Sequence, residues 1–206
     1  MKKSKLLVNT LVLFLVAVVA VFALAMVNQV TRDPIAQAEI NARNESYKTV
    51  FADAADFKEL ENEAQLIESS QAVIEENGIT GCVINNAMAA VDESGNTIGY
   101  VISSSSMQGY GGEVQIAVGI KDGKLTGLSV VKNSETPGFG ARCTEEEFQS
   151  QFAGKDAGIL SFIKEGEADS TQFDAISGAT ITSTAVQDAV NAANAFYNNC
   201  LAEKGE

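Results

Sequence analysis

The spacing of apolar and polar positions changes several times along this chain, and each change predicts a different element. Leu6 to Val27 carries no charge, and only Asn9 and Thr10 are polar. As a helix rising about 1.5 Å per residue, that run spans about 33 Å, enough for a bilayer core. Ile35, Ala38, Ala42, Val50, Phe51 and Ala54 then recur at helical spacing. Pro34 stands where such a helix can begin and Asp33 where it can be capped, so this helix continues the first or starts just after it. Residues 56–78 are acidic and weakly periodic, which predicts short helix or irregular chain.

From Val83 the pattern turns to strands. Residues 84–106 predict two strands around Glu93-Ser94-Gly95-Asn96, and residues 112–133 two more around Lys121-Asp122-Gly123-Lys124, whose Asp-Gly step is a hairpin signal. Val114, Ile116 and Val118 alternate onto one face of the expected antiparallel sheet. Thr144-Glu145-Glu146-Glu147 has the form of a capping box and predicts a short helix through Phe152. The last helix is expected to start between Ser177 and Thr182 and to run to about Cys200. Ala185, Val186, Ala189, Val190, Ala193 and Phe196 form its packing face. The fold class is therefore α+β: an N-terminal transmembrane helix, then an antiparallel sheet with helices on one face. The expected divisions are a cytoplasmic N-terminus (1–5), a span (6–27), a helical connecting region (28–80) and an extracytoplasmic domain (81–206).

Charge sharpens this picture. Lys2, Lys3 and Lys5 precede the span, which holds that end in the cytoplasm and puts the rest outside. Ala23-Leu24-Ala25 has the form of a signal-peptide cleavage site. The apolar run is about twice a typical h-region of roughly 7–15 residues, so a retained anchor in contact with membrane lipid through 6–27 is expected. All 27 acidic residues follow the span, so the remainder is more acidic than the chain's net −13. Such a surface argues against nucleic acid as a partner.

The chain contains neither histidine nor tryptophan. Ser-His-Asp and Cys-His catalysis are excluded, and chemistry falls to a bound cofactor. Cys82, Cys143 and Cys200 lack metal-ligand spacing and read as small apolar residues, with at most one disulfide among them.

Two glycine-rich stretches and one hydroxyl-rich stretch carry the candidate chemistry. Gly109-Tyr110-Gly111-Gly112 is either a flexible connection or a place where backbone approaches a ligand. Around the Pro137-Gly138 turn, Phe139 is either buried or presented to a planar ligand. Between Ser177 and Thr184 lie five hydroxyls, of which Ser177 or Thr180 is positioned to cap a helix, while Asp174 can close the preceding turn. A helix N-terminus also suits a phosphate.

Asp174-Ala175-Ile176-Ser177-Gly178-Ala179-Thr180 resembles the D-x-x-[ST]-G-A-T signature of FMN-binding domains that carry flavin covalently. Glu135-Thr136-Pro137-Gly138-Phe139-Gly140 is similar to the E-T-P-G-[LF]-G loop of that family, and Gly111 and Gly112 fall in its glycine-rich loop, in the same order. The resemblance implies FMN joined to Thr180 by a phosphoester, made by a separate flavin transferase. It implies a cofactor site formed by Asp174, Ser177, Gly178, Ala179, Glu135, Thr136, Pro137, Gly138, Phe139, Gly140, Gly111 and Gly112. Compact length and the N-terminal span make the chain look like the G subunit of Rnf-type complexes, which couple ferredoxin-to-NAD electron transfer to ion translocation. Other subunits of such a complex are then its partners. The C subunit of sodium-translocating NADH:quinone reductases is the alternative within the family. A membrane-anchored binding module without flavin is the alternative outside it.

Overall fold

The protein was studied as a computed structural model, which describes residues 2–164 and 166–202. Side chains at 2–7, 33 and 35–44 fall outside the described residues, and with them the lysines before the span, the Asp33 cap and the apolar positions Ile35, Ala38 and Ala42. The chain divides into two compact units, residues 1–42 and 43–206.

The first unit is helical. Helix α1 runs Lys2–Val50 with Pro34 inside it. Within α1, Val8–Arg32 is long and apolar enough to cross a membrane, with a mean hydropathy of 3.0.

The second unit is built on a five-stranded antiparallel sheet in the order β1-β2-β3-β4-β5. Its strands are β1 (Asp56–Glu59), β2 (Cys82–Val91), β3 (Thr97–Gly109), β4 (Gly112–Lys121) and β5 (Lys124–Lys132). Both expected hairpins form. Asp92 Oδ1 accepts the N–H groups of Ser94 and Asn96 at 2.8 and 2.9 Å in the first. In the second, Asp122 and Gly123 both adopt positive φ (50° and 72°), as a two-residue turn matched to strand twist requires. A third hairpin, not expected, joins β3 to β4: Gly109 pairs with Gly112 across Tyr110-Gly111.

One face of the sheet packs against α2 (Glu63–Glu76) and α4 (Thr180–Phe196). Ile102, Ile116, Val118 and Ile120 meet the α4 face formed by Ala185, Val186, Ala189, Val190, Ala193 and Phe196. The opposite face is covered too, contrary to the one-sided expectation. Tyr47, Val50 and Phe51, at and just past the end of α1, pack on Ala90, Val101 and Ala117. Gly119 makes this possible, because a Cβ there would collide with the Val50 carbonyl, which also accepts from the Thr126 hydroxyl. The region expected to be a helical connection over 28–80 therefore contributes β1, α2 and the end of α1 to the domain, and the compact unit begins at Arg43 rather than at 81.

One local expectation is corrected. Thr144 does not cap a helix: its hydroxyl donates to the Ala141 carbonyl, and the segment breaks into a 3-10 turn (Gly140–Thr144), α3 (Glu146–Gln149) and a second 3-10 turn (Ser150–Phe152). Cys82 and Cys143 are buried and Cys200 is half-buried, in keeping with their reading as small apolar residues, and no disulfide joins them among the described residues. A small parallel pair, β6 (Ser161–Ile163) and β7 (Gln172–Asp174), leads into the hydroxyl-rich turn before α4.

Candidate flavin cleft

The turn from Asp174 to Thr180 is pinned from within α4. Gly178 has φ +76°, the left-handed conformation that glycine adopts without cost. Neither Ser177 nor Thr180 caps the helix; Ala179 occupies the cap position and makes no side-chain cap bond. Ser183 does the tying instead. Its hydroxyl accepts the Ile176 N–H and donates to the Ala179 carbonyl, both at 3.0 Å. Thr184 donates to the Thr180 carbonyl, also at 3.0 Å.

The five hydroxyls are thereby sorted. Ser183 and Thr182 are buried and hydrogen-bonded, and Ser177 is exposed on the other side of the turn. Thr180 is the first residue of α4, and its hydroxyl makes no hydrogen bond among the described residues.

Thr180 opens onto a cleft of about 520 Å³, lined on one wall by Tyr110, Glu135, Thr136, Phe139 and Gly140 and on the other by residues 178–182. The Thr136–Phe139 turn carries Pro137 and, at φ +78°, Gly138; the Phe139 N–H closes it on the Thr136 carbonyl at 3.1 Å. That turn holds Phe139 57% exposed at the cleft. Tyr110 and Ile181 are exposed beside it at 72% and 52%. Large apolar side chains gathered around one cleft are the kind of surface a ligand covers.

Glu135 joins the three motifs. It is only 6% exposed. Its Oε1 accepts the Gly111 N–H at 3.0 Å, and its Oε2 accepts the Thr182 hydroxyl at 2.7 Å. Gly111 and Gly112 do not line the cleft; Tyr110, which the motif comparison leaves without a role, does. An aromatic set among glycines is the signal that points to it. Asp174 and Ser177 border a separate hollow of about 350 Å³ beside Arg142, Glu145 and Gln151, and the Asp174 N–H donates to Gln151 Oε1 at 2.7 Å.

These residues fit FMN. The cleft has the volume of a small-molecule site and apolar walls for a planar ring. No cationic side chain lines it among the described residues, so positive potential for a phosphate comes from the start of α4, whose first N–H groups have no intrahelical partner.

A family profile described as FMN-binding domain matches residues 109–195, from the β3–β4 turn to the end of α4. A second, described as RnfG N-terminal region, matches residues 1–50. The G subunit of the Na(+)-translocating ferredoxin:NAD(+) oxidoreductase complex of Acetobacterium woodii is 33% identical, over 92% of this chain and 90% of that one. The G subunit of the ion-translocating oxidoreductase complex of Methanosarcina acetivorans is 34% identical, over 86% and 87%. Among solved structures, Shewanella oneidensis NqrC is similar at 26% identity, over 54% of this chain and 58% of that one, with a TM-score of 0.47. With an FMN-binding domain over its cleft and relatives matched along nearly their whole length, this chain belongs to the G-subunit family of ion-translocating oxidoreductase complexes, as a flavin-bearing electron-transfer subunit.

Proposed function

We propose that FMN is held covalently, as a phosphoester on Thr180, and that the loaded domain relays electrons between ferredoxin and NAD within the complex. Ion translocation is coupled to that transfer. Bound FMN supplies redox chemistry that a chain without histidine does not supply from its own side chains. The observation that carries the reading is the sorting of hydroxyls: Thr180 lines the cleft with its hydroxyl free, while Thr182 is buried and already donates to Glu135. The start of α4 stabilises a phosphate there, Phe139 and Tyr110 flank the ring, and Gly178, at φ +76°, supplies the left-handed step of the turn beside Phe139.

A threonine hydroxyl without a neighbouring base is a weak nucleophile, which supports attachment by a separate flavin transferase. Asp174 and Ser177, on the far side of the turn, remain accessible for its recognition. The apolar helix serves as a single-pass anchor with its N-terminus cytoplasmic and the flavin domain extracytoplasmic. Tethering the carrier beside its partner subunits gives it a high effective concentration.

Co-expression with a flavin transferase, followed by denaturing electrophoresis and illumination, tests the proposal. The wild-type band is expected to fluoresce and Thr180→Val to be dark. A dark wild-type band, where another member of the family fluoresces, would refute covalent attachment. A fluorescent Thr180→Val band would refute the site. A dark wild-type band also favours the binding module without flavin.

A further inference from the structure

The glycines around the cleft leave room for a carboxylate more than for a ligand. A Cβ at Gly109 would meet Glu135 Oε1 at 2.6 Å, and one at Gly140 would collide with both Glu135 Oε2 and Thr182 Oγ1. A Cβ at Gly111 would strike the Ser134 backbone, so only glycine lets that N–H reach the carboxylate. Gly109 and Gly140 therefore clear the space in which the Glu135 side chain is buried, and Gly111 lets the chain pass close enough to bond it.

Glu135 has no ion pair among the described residues, and one hydrogen bond meets each of its oxygens. Burying a carboxylate without a cation is costly, even when it is hydrogen-bonded. Its two partners lie on segments 24 and 47 residues away in sequence, the β3–β4 turn and the first turn of α4. Those segments carry Tyr110 and Thr180, the two sides of the cleft.

We propose that Glu135 is a positioning residue with two effects on the cleft. Its carboxylate locks the Tyr110–Gly111 turn to the start of α4 before any cofactor arrives. Its buried charge, at the cleft wall, opposes the arrival of electrons there and holds down the potential of a bound flavin. Only the second effect rests on the flavin reading. Both follow from one geometry: two acceptors facing two donors, and a negative charge in poorly screened surroundings.

Glu135→Gln keeps the shape and removes the charge. Its amide oxygen accepts from Gly111, and its NH₂ donates to Thr182, whose hydroxyl can reverse. Glu135→Ala removes the lock as well. Hydrogen exchange on the full chain in detergent, without flavin, reads the lock. Glu135→Ala is expected to lose at least tenfold protection in peptides covering 109–112 and 180–184, with Glu135→Gln close to wild type and the centres of β2–β4 unchanged in both. Unchanged exchange in Glu135→Ala would overturn the lock, as would a loss spread evenly over the sheet.

Redox titration of flavin-loaded protein reads the charge. Glu135→Gln is expected to shift the equilibrium toward reduced flavin by about tenfold, which is about 30 mV for a two-electron couple. A potential equal to wild type would overturn the electrostatic role. Wild-type protein that takes up no flavin would refute the flavin reading instead, while the exchange pattern still decides the lock.

Discussion

Burial pushes the thiols of Cys82 and Cys143 up to about 11, with the nearby Asp188 and Glu135 charges adding to the effect. Burial, then Tyr197, raises Tyr100 in the same direction. In the unfolded chain a thiol releases its proton near its ordinary value of 9.0. Between about pH 9 and 11 the unfolded state therefore binds fewer protons than the folded one, and stability falls as pH rises. Each thiol adds up to about 1.4 kcal/mol per pH unit to that loss. The urea midpoint of the full chain is expected to hold from pH 7 to 8.5 and to drop steeply by pH 10.5, with a shallower drop in Cys143→Ala. A flat profile to pH 10.5 would contradict the buried, protonated thiols. Such burial was legible in the sequence, since isolated cysteines without ligand spacing behave as small apolar residues. The role of Glu135 was not, because its two partners come from other motifs and only the closed sheet brings them within reach.

Helix α4 shows where element-level reading succeeds and where it stops. Its apolar face was legible from spacing alone and meets the sheet as expected. A second face, Gln187, Asn191 and Asn194, continued by Asn198 in the turn after α4, has the composition of a solvated stripe but runs along the 157–162 segment and holds its backbone. Gln187 accepts the Phe162 N–H at 3.0 Å, and Asn191 both accepts the Leu160 N–H and donates to the Leu160 carbonyl, at 2.8 and 2.9 Å. Asn194 and Asn198 donate to the Gly158 and Ala157 carbonyls at 2.8 and 2.6 Å. The segment has little strand pairing of its own, so side-chain amides stand in for a neighbouring strand. Periodicity cannot reveal that, because it registers polarity and not what the polar group meets. Asn191→Ala leaves two buried backbone groups of Leu160 without partners and is expected to cost about 2–4 kcal/mol. Asn198→Ala, at an exposed position, is expected to cost under about 1 kcal/mol. Urea unfolding of the full chain followed by circular dichroism compares them; equal losses would show that the Asn191 amide is not what holds the segment.

At the scale of the whole molecule, the domain boundary separates sequence reading from structure most clearly. Composition places the domain start near residue 81, because residues 56–78 are acidic and lack strong alternation. Strand β1 is only four residues long and mostly exposed, so it shows no period-2 signal, yet it pairs with β2 from Asp56↔Val91 to Glu59↔Met88. The residues that cover the second sheet face, Tyr47, Val50 and Phe51, belong by sequence to a helix read as a connector. A fragment beginning at Arg43 keeps β1, α2 and both covers. One beginning at residue 81 bares Ala90, Val101 and Ala117, which are fully buried in the intact domain, and frees the outer edge of β2. A sheet with one face and one edge stripped is an aggregation template as well as an unstable fold. Fragment 43–206 is therefore expected to stay soluble without detergent, to unfold in one cooperative urea transition and to take up as much flavin as the full chain. Fragment 81–206 is expected to show no cooperative transition. Since the FMN-binding profile covers only residues 109–195, a cooperative, flavin-accepting 81–206 fragment would mean that the family core folds without the residues before it, and that the covers from 43–80 add stability without being needed for the fold.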